Sequence, residues 1–535
     1  MTKNYLSNDL PASLVVFLVA LPLCMGVAMA SGGNIVQGIM AGVIGGIVVG
    51  IISGSHVSVS GPAAGLITIV IASFTDLKAL TPQNYLGAFA LVVFLAGLIQ
   101  LLMGVLKLGV IADFIPVSVI KGMLAAIGII MILKQIPHLI GYDKDAMGEE
   151  EFLQNDGHNT FSELFFSFEQ FGLLAVCIGV IGLAIHFIWE TEKIKKHKVL
   201  SLVPASLLTV LMGISINSIA LHYFPSFAVK AEHMVSVPVF SEKVNLGESF
   251  LGLFQSFSFP DFNFIGSSVV WKSAVIIAVV ASIESLLSLE AGDKIDPEKR
   301  TSPTNRELYA QGIGNVVAGL VGALPITAVI VRTSANVNAG SKTKLSTIFH
   351  GFWLLIFVLM APHYINKIPL SALASVLIFV GYKLAKPSLF FEQKAKGNNA
   401  FYPFLITLVA ILFTDLLIGI SIGLLVGFYF VIKSNFHKSF SVVNEGNNTL
   451  IRFHHQATFL NKSVLKSKLI KIKHGDAVIL DFSNCTFMDS DIIDILNDFM
   501  IHASLSQIYV EMQYASESQE KSIVQRLTIP KENGR

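Results

Sequence analysis

Cysteine is scarce in this chain: three in 535 residues, Cys24, Cys177 and Cys485, far apart. That spacing excludes a disulfide framework and a cysteine-based zinc site. Charge is scarce too, at 14% of residues, where soluble domains carry about 25%. A net charge of +1 leaves no basic stripe, which excludes a nucleic-acid partner. No GxxxxGK(S/T) loop occurs, so ATP-driven work is disfavoured. No nucleophile elbow and no zinc-spaced His/Cys set occur either. The expectation is therefore a non-enzyme with no metal and no cofactor. The N-terminus, MTKNYLSNDLPASL, lacks the small-residue cleavage site of a secretory signal, so the first apolar run reads as a retained span.

Apolar sequence is what the chain has in abundance, at 53% of residues with a mean hydropathy of +0.68. Runs of about 20 apolar residues are the mark of membrane spans. They lie near 10–30, 35–54, 62–75, 85–106, 114–137, 171–189, 199–223, 271–290, 307–324, 327–339, 344–362, 368–385, 401–417 and 418–434. From about residue 440 the composition turns polar and no run is long enough to span. Basic loops at 192–198, 290–306, 339–344 and 383–396 fall on one side and the acidic loop 141–163 on the other. The positive-inside rule then puts the N-terminus and the polar tail in the cytoplasm of a multi-pass cell-membrane protein in contact with membrane lipid.

Two of these runs, 62–75 and 327–339, are too short to cross. Two spans after each comes a matching tetrapeptide, IPVS at 115–118 and IPLS at 368–371. The spans thus divide into seven and seven, and an odd number per repeat inverts the second copy. Paired short segments in inverted repeats point to a transporter's binding site. A half-helix leaves its first N–H groups without partners and carries partial positive charge there. The first half-helix is expected to open at Gly61-Pro62-Ala63-Ala64-Gly65, with proline at its first position. The second is expected to open at Leu324-Pro325-Ile326-Thr327. Two such ends make a site for an anion. Arg332, about one and a half turns into the second, is a permanent cation there. Glu284, well inside the eighth span, is a candidate ion-pair partner, cation ligand or proton acceptor.

The stretches DLPASLVVFLVALPLCMGVAMASG, VSGPAAG, ASIESLLSLEAGD and NVVAGLVGALPITAVIVRTSANVNAGSKTKLS resemble the SulP anion transporters. The resemblance implies an all-α polytopic membrane protein with 14 transmembrane segments as 7+7 inverted repeats, the fold shared with uracil permease. It implies a membrane domain over 1–436, with a core of spans 1–4 and 8–11 moving against a gate of spans 5–7 and 12–14. A homodimer is implied as well. The stretch ALPLCMGVAMASG is most similar to the bicarbonate-transporting branch. Glu284 and Ser288 match by type the acidic residue and hydroxyl of that branch's sodium site. Ala63 stands where the same pattern has threonine and Val329-Ile330 where it has Ala-Thr, which favours proton coupling through Glu284, or plain exchange, over Na+.

Residues 437–535 resemble a small cytoplasmic α/β STAS domain. The stretch 477–496 reads as a buried strand, a turn and an amphipathic helix with Asp489 and Ser490 capping its start. Asp491 stands where signalling relatives carry a phosphorylatable hydroxyl. The expected function is secondary active transport of a small inorganic anion, bicarbonate or sulfate, by elevator-type alternating access, coupled to H+ or Na+ or to anion exchange. Ala63, Ala64, Gly65, Thr327, Ala328 and Arg332 are the expected anion-site residues, and Glu284 and Ser288 the cation-coupling ones. The alternatives are an organic-acid or nucleobase carrier of the same fold, or an anion channel or sensor.

Overall fold

The computed structural model describes residues 5–144, 152, 159–168, 171–195, 203–240, 246–436, 440–458 and 461–516. Parts of the basic loop 192–198 and most of the acidic loop 141–163 lie outside the described residues. The chain divides into two compact units, Met1–Leu424 and Leu425–Arg535.

The first unit is mostly helical. Its principal helices are α1 (Leu6–Ala30), α2 (Ile35–Ile44, continuing through a π turn to Ile52), α3 (Ile67–Leu80), α4 (Tyr85–Val105), α5 (Val117–Ile140), α6 (Leu173–Trp189) and α7 (Ala205–Tyr223). They continue with α8 (Ser268–Ile295), α9 (Thr304–Val321), α10 (Ile330–Asn338), α11 (Leu345–Met360), α12 (Leu370–Leu384), α13 (Asn398–Phe413) and the start of α14 (Leu416–Phe436), the helix in which the division between the units falls. Among the described residues, 7 helices are long and apolar enough to cross a membrane: α1, α2 with its continuation, α4, α5, α7, α8 and the stretch that begins with α12. Shorter apolar helices coincide with α6, α11, α13 and the first part of α14. This is a mostly helical polytopic membrane protein. Helix α9 falls short on hydropathy for a physical reason. Glu307, Gln311 and Asn315, spaced by four, share one helix face, and all three are buried.

Two apolar cores hold these helices. One centres on α1, α5, α12 and α13; the other centres on α3, α4 and α8. Helices α5 and α12 open alike. Pro116 and Pro369 are their boundary residues, with φ −61°, ψ 135° and φ −68°, ψ 136°. Proline suits both places because it fixes φ and its missing N–H is not needed there. A Cβ on Gly128 would come within 2.6 Å of the Gly381 carbonyl, and one on Gly381 within 2.6 Å of the Gly128 carbonyl. Each glycine stands at the same distance past its proline, so matching positions of the IPVS and IPLS segments meet at this crossing.

Polar ties fasten the loops. The buried Asp9 carboxylate accepts from Lys342 N (2.7 Å), Thr343 N (3.0 Å) and Thr343 Oγ1 (2.5 Å), which pins the SKTK turn to the start of α1. Past the end of α5, Asp143 lies between two imidazoles, 2.5 Å from His138 Nδ1 and 2.7 Å from His233 Nδ1. Burial alone would raise the Asp143 pKa. The hydrogen bonds and charges of the two histidines outweigh it and hold the carboxyl below its ordinary value. The hydrogen bond to Asp143 in turn raises His233. The segment after His233 runs along the entry to α12: Val235 N donates to Ile368 O at 3.0 Å and Val237 N to Asn366 Oδ1 at 2.7 Å.

The second unit carries a 4-stranded sheet of β3 (Phe440–Glu445), β4 (Asn448–Ala457), β5 (Ala477–Met488) and β6 (Tyr509–Gln513), in that order. The pair β3–β4 is antiparallel; β4–β5 and β5–β6 are parallel. Helices α15 (Lys462–Leu469) and α16 (Ser490–Leu505) make the two crossovers. Asp489 is the residue before α16, as its place in the sequence suggests, yet its side chain makes no cap bond to the helix N–H groups. Its carboxylate accepts from Ser490 Oγ at 3.1 Å instead.

Candidate functional site

The two short segments meet as strands before they become helices. Residues β1 (Ser60–Pro62) and β2 (Ile326–Ala328) pair antiparallel, with Gly61 opposite Thr327. Extended backbone inside a membrane protein must find its hydrogen bonds within the protein. Here side chains supply them. Asn315 accepts from Ile326 N (2.7 Å) and donates to Ile326 O (2.9 Å). Ala328 N donates to Ser285 Oγ at 3.2 Å. Val59 N donates to Thr333 Oγ1 (3.1 Å), and Val57 O accepts from Asn336 Nδ2 (2.9 Å).

Both helices therefore start later than the sequence suggests. Pro62 ends β1 rather than opening a helix; a proline fits a strand end because no ladder bond is asked of it. Ala63 is extended, Ala64–Leu66 form a 3-10 turn, and α3 begins at Ile67. In the second copy the β-branched run from Ile326 favours extended backbone, and α10 begins at Ile330. Arg332 consequently stands in the first turn of α10, not one and a half turns in.

The expected site residues sort into two groups. Ala63, Ala64 and Gly65 lie at the head of α3, where Ala64 and Gly65 begin the turn and their N–H groups are the orphans of a helix start. Glu284, 6% exposed on α8, faces this head: a Cβ on Gly65 would lie 3.2 Å from its carboxylate oxygens. Ser288 is buried one turn further along α8. Thr327, Ala328 and Arg332 lie behind, fully buried at the strand crossing. Thr327 Oγ1 donates to Ala328 O at 3.2 Å. Arg332 is 0% exposed, and its Nη2 donates to Pro62 O at 3.2 Å. Its Nε and Nη1 have no hydrogen-bond partner among the described residues. The guanidinium sits against Gly61, where a Cβ would collide with Nη1, and near Gly42 and Cys24. Arg332 and Glu284 thus bear on opposite ends of the stretch Gly61–Gly65.

A cavity of about 180 Å³ opens at the head of α3. Ala64, Gly65 and Thr68 form one wall; Ile127 and Ile130 of α5 and Asp415, just before α14, face them. Pockets for drug-sized ligands run roughly 300–1,000 Å³, so this one suits a small ion. Asp415 Oδ1 accepts from Ile418 N at 2.8 Å, which caps α14. Thr68, the two isoleucines, Asp415 and the supporting Ser285, Gln311 and Asn315 are not among the residues singled out from the sequence. Two signals for them were available there: the polar spacing in NRELYAQGIGN, and the acid in FTDLL, near the end of the apolar run 401–417.

The chain matches the description of the sulfate permease family over residues 6–419. The putative sulfate transporter YvdB of Bacillus subtilis is 29% identical over 426 residues, covering 80% of this chain and 73% of the relative. The bicarbonate transporter BicA of a Picosynechococcus species is 28% identical over 426 residues, covering 78% of this chain and 69% of the relative. Among solved structures, the transmembrane domain of a cyanobacterial BicA aligns with a TM-score of 0.52 at 23% identity, over 80% of this chain and 98% of that one. Murine Slc26a9 in its inward-facing state aligns with a TM-score of 0.66 at 15% identity, over 99% of this chain and 90% of that one.

Proposed function

The chain belongs to the sulfate permease family, and from that premise we propose that it is a secondary active transporter of a small inorganic anion, bicarbonate or sulfate, across the cell membrane. The observation that carries the reading is the small cavity at the head of α3, bounded by helix-start N–H groups on one side and on the other by Ile127, Ile130 and Asp415, whose Oδ1 is engaged by Ile418 N. Dipole and N–H groups favour an anion there. Arg332, one strand away and incompletely hydrogen-bonded, adds positive potential. The names of YvdB and BicA support sulfate and bicarbonate as the candidates.

In this reading α1 to α14 are 14 spans in two inverted repeats. The β1–β2 pairing and the Gly128–Gly381 meeting, each joining one repeat to the other, support it. The core of spans 1–4 and 8–11 carries the anion at Ala63, Ala64, Gly65, Thr327, Ala328 and Arg332, and slides against the gate of spans 5–7 and 12–14 as an elevator. Glu284, with Ser288 one turn on, binds the coupling H+ or Na+, or serves plain exchange. The N-terminus and a STAS-like unit over 437–535 face the cytoplasm, and the protein is a homodimer.

Uptake of labelled bicarbonate and of labelled sulfate by proteoliposomes, each with and without sodium and with a pH step, tests the reading. One of the two anions accumulates if it holds. Uptake of neither, with uracil or a dicarboxylate carried instead, would make the protein an organic carrier of the same fold. No flux of any of them, with or without the tail, ends the transporter reading.

A further inference from the structure

Glu307 of α9 is fully buried and takes no part in the site described above. Its Oε2 accepts from Ser53 Oγ at 2.5 Å and its Oε1 from Gln311 Nε2 at 2.7 Å. Both donors are neutral. Among the described residues no Lys, Arg or His nitrogen comes within 4.0 Å of it. The neighbouring Arg306 is exposed and its Nε donates to Ile52 O at 2.8 Å, beside Ser53, while Lys344 Nζ donates to Ile51 O at 2.7 Å; both cations are spent on backbone carbonyls. Helix α4, packed along α9, carries no charged residue. From α8 the charge that reaches Glu307 is Asp293, of like sign. A buried carboxylate without a cation is costly, and such groups commonly take up a proton instead.

The carboxyl is also the end of a mechanical line. Gln311 donates through the same Nε2 to Ser60 Oγ of β1 at 2.8 Å. One turn on, Asn315 holds both polar groups of Ile326 in β2. Glu307, Gln311 and Asn315 therefore grip the end of α2, then β1, then β2, from one face of α9. A proton on Oε1 would face the Gln311 N–H, so Gln311 must let go or turn and the change is passed to Ser60, beside the Gly61–Gly65 stretch; a proton on Oε2 is met by a turn of the Ser53 hydroxyl, which then accepts from it.

We propose that Glu307 is a proton-exchanging carboxyl that couples proton loading to the position of the β1–β2 crossing, and hence to anion transport. The inference rests on the transport reading above. Only an O–H bond is made and broken. The proton comes from water at the exposed first turn of α9, where Arg306 already lies at the surface, and returns to water after the anion moves.

Two measurements on the full chain test it. In an infrared pH titration of purified protein, the carbonyl stretch of protonated carboxylic acids grows as pH falls, and the difference between wild type and E307Q shows a component that belongs to Glu307, above the background of the other carboxyls. In proteoliposomes with labelled sulfate and labelled bicarbonate, a one-unit acid-outside step raises wild-type accumulation by up to about tenfold per proton carried. E307Q keeps anion counter-exchange but loses this response. Ser53→Ala keeps the carboxyl and removes one donor, so the band and the pH response shift together; it decides the matter should E307Q fold poorly. An E307Q titration or pH response equal to that of the wild type overturns the inference, as does an S53A variant in which neither moves. A wild type that moves neither anion overturns the transport reading, and the infrared band still reports separately on the proton.

Discussion

Arg332 is a permanent cation at zero exposure with one hydrogen bond, to the Pro62 carbonyl. Burying an ion costs several kcal/mol, about that much even after relaxation, and a single carbonyl does not offset it. Its removal therefore relieves a cost while leaving a cavity, and these oppose one another in stability. In the proposed transport role, only the loss of positive potential is felt. Arg332→Ala is expected to abolish uptake of labelled anion while the protein stays folded by circular dichroism and gel filtration. Normal uptake would take Arg332 out of the site. Gly61→Ala tests the same contact from the other side, because its Cβ would collide with Nη1. Overpacking of this kind costs about 1–3 kcal/mol, so this variant should lose both uptake and melting temperature. The sequence made Arg332 and Glu284 conspicuous, since charges in apolar runs are rare. Where the guanidinium points was not legible, because Gly42, Gly61 and Cys24 decide it from distant parts of the chain.

At the scale of elements, hydropathy marked the helices well and the two half-helix starts poorly. Apolar periodicity carries no sign of a three-residue strand, and GPAAG reads as a helix start by every local rule. The strands exist because Asn315 and Ser285 satisfy backbone groups of β2 from other helices, while Thr333 and Asn336 hold the backbone at Val59 and Val57 that leads into β1. Local rules also missed the clasp of Asp143 with His138 and His233, whose second histidine lies 90 residues on. The clasp makes a pH prediction. His233 has a raised pKa, so its contribution is full below the unfolded value of about 6.5 and is lost as pH rises through the raised value. Asp143 has a lowered pKa, so its contribution is lost only as pH falls through that lowered value. Glu232, 3.5 Å from His233 Nε2, adds to the histidine's charge, and Lys230 opposes it. Wild-type melting temperature should fall on the alkaline side, and His233→Ala should flatten that limb while lowering the plateau. An unaltered alkaline limb in His233→Ala would remove the clasp as its source.

At the scale of the whole molecule, the cavity bears on how transport works. In the proposed elevator its walls belong to different moving bodies: Gly65 in the turn before α3 and Thr68 on α3 to the core, Ile127 and Ile130 on α5 to the gate. A site made half of one body and half of another changes its walls when the bodies slide, whereas a fixed pore keeps them. Tying the walls together separates the two cases. Cys177 is exposed and is replaced by serine; Cys24 and Cys485 are buried and stay. With Thr68→Cys and Ile130→Cys added, a short bifunctional thiol reagent that can be cleaved by reduction should stop anion uptake, and reduction should restore it. The same reagent on either single cysteine controls for simple plugging and should leave most of the uptake. Equal inhibition by the single modifications would mean that the reagent fills the cavity. Full uptake in the bridged protein would mean that α3 and α5 travel together, and the elevator would give way to a pore or to a motion hinged elsewhere.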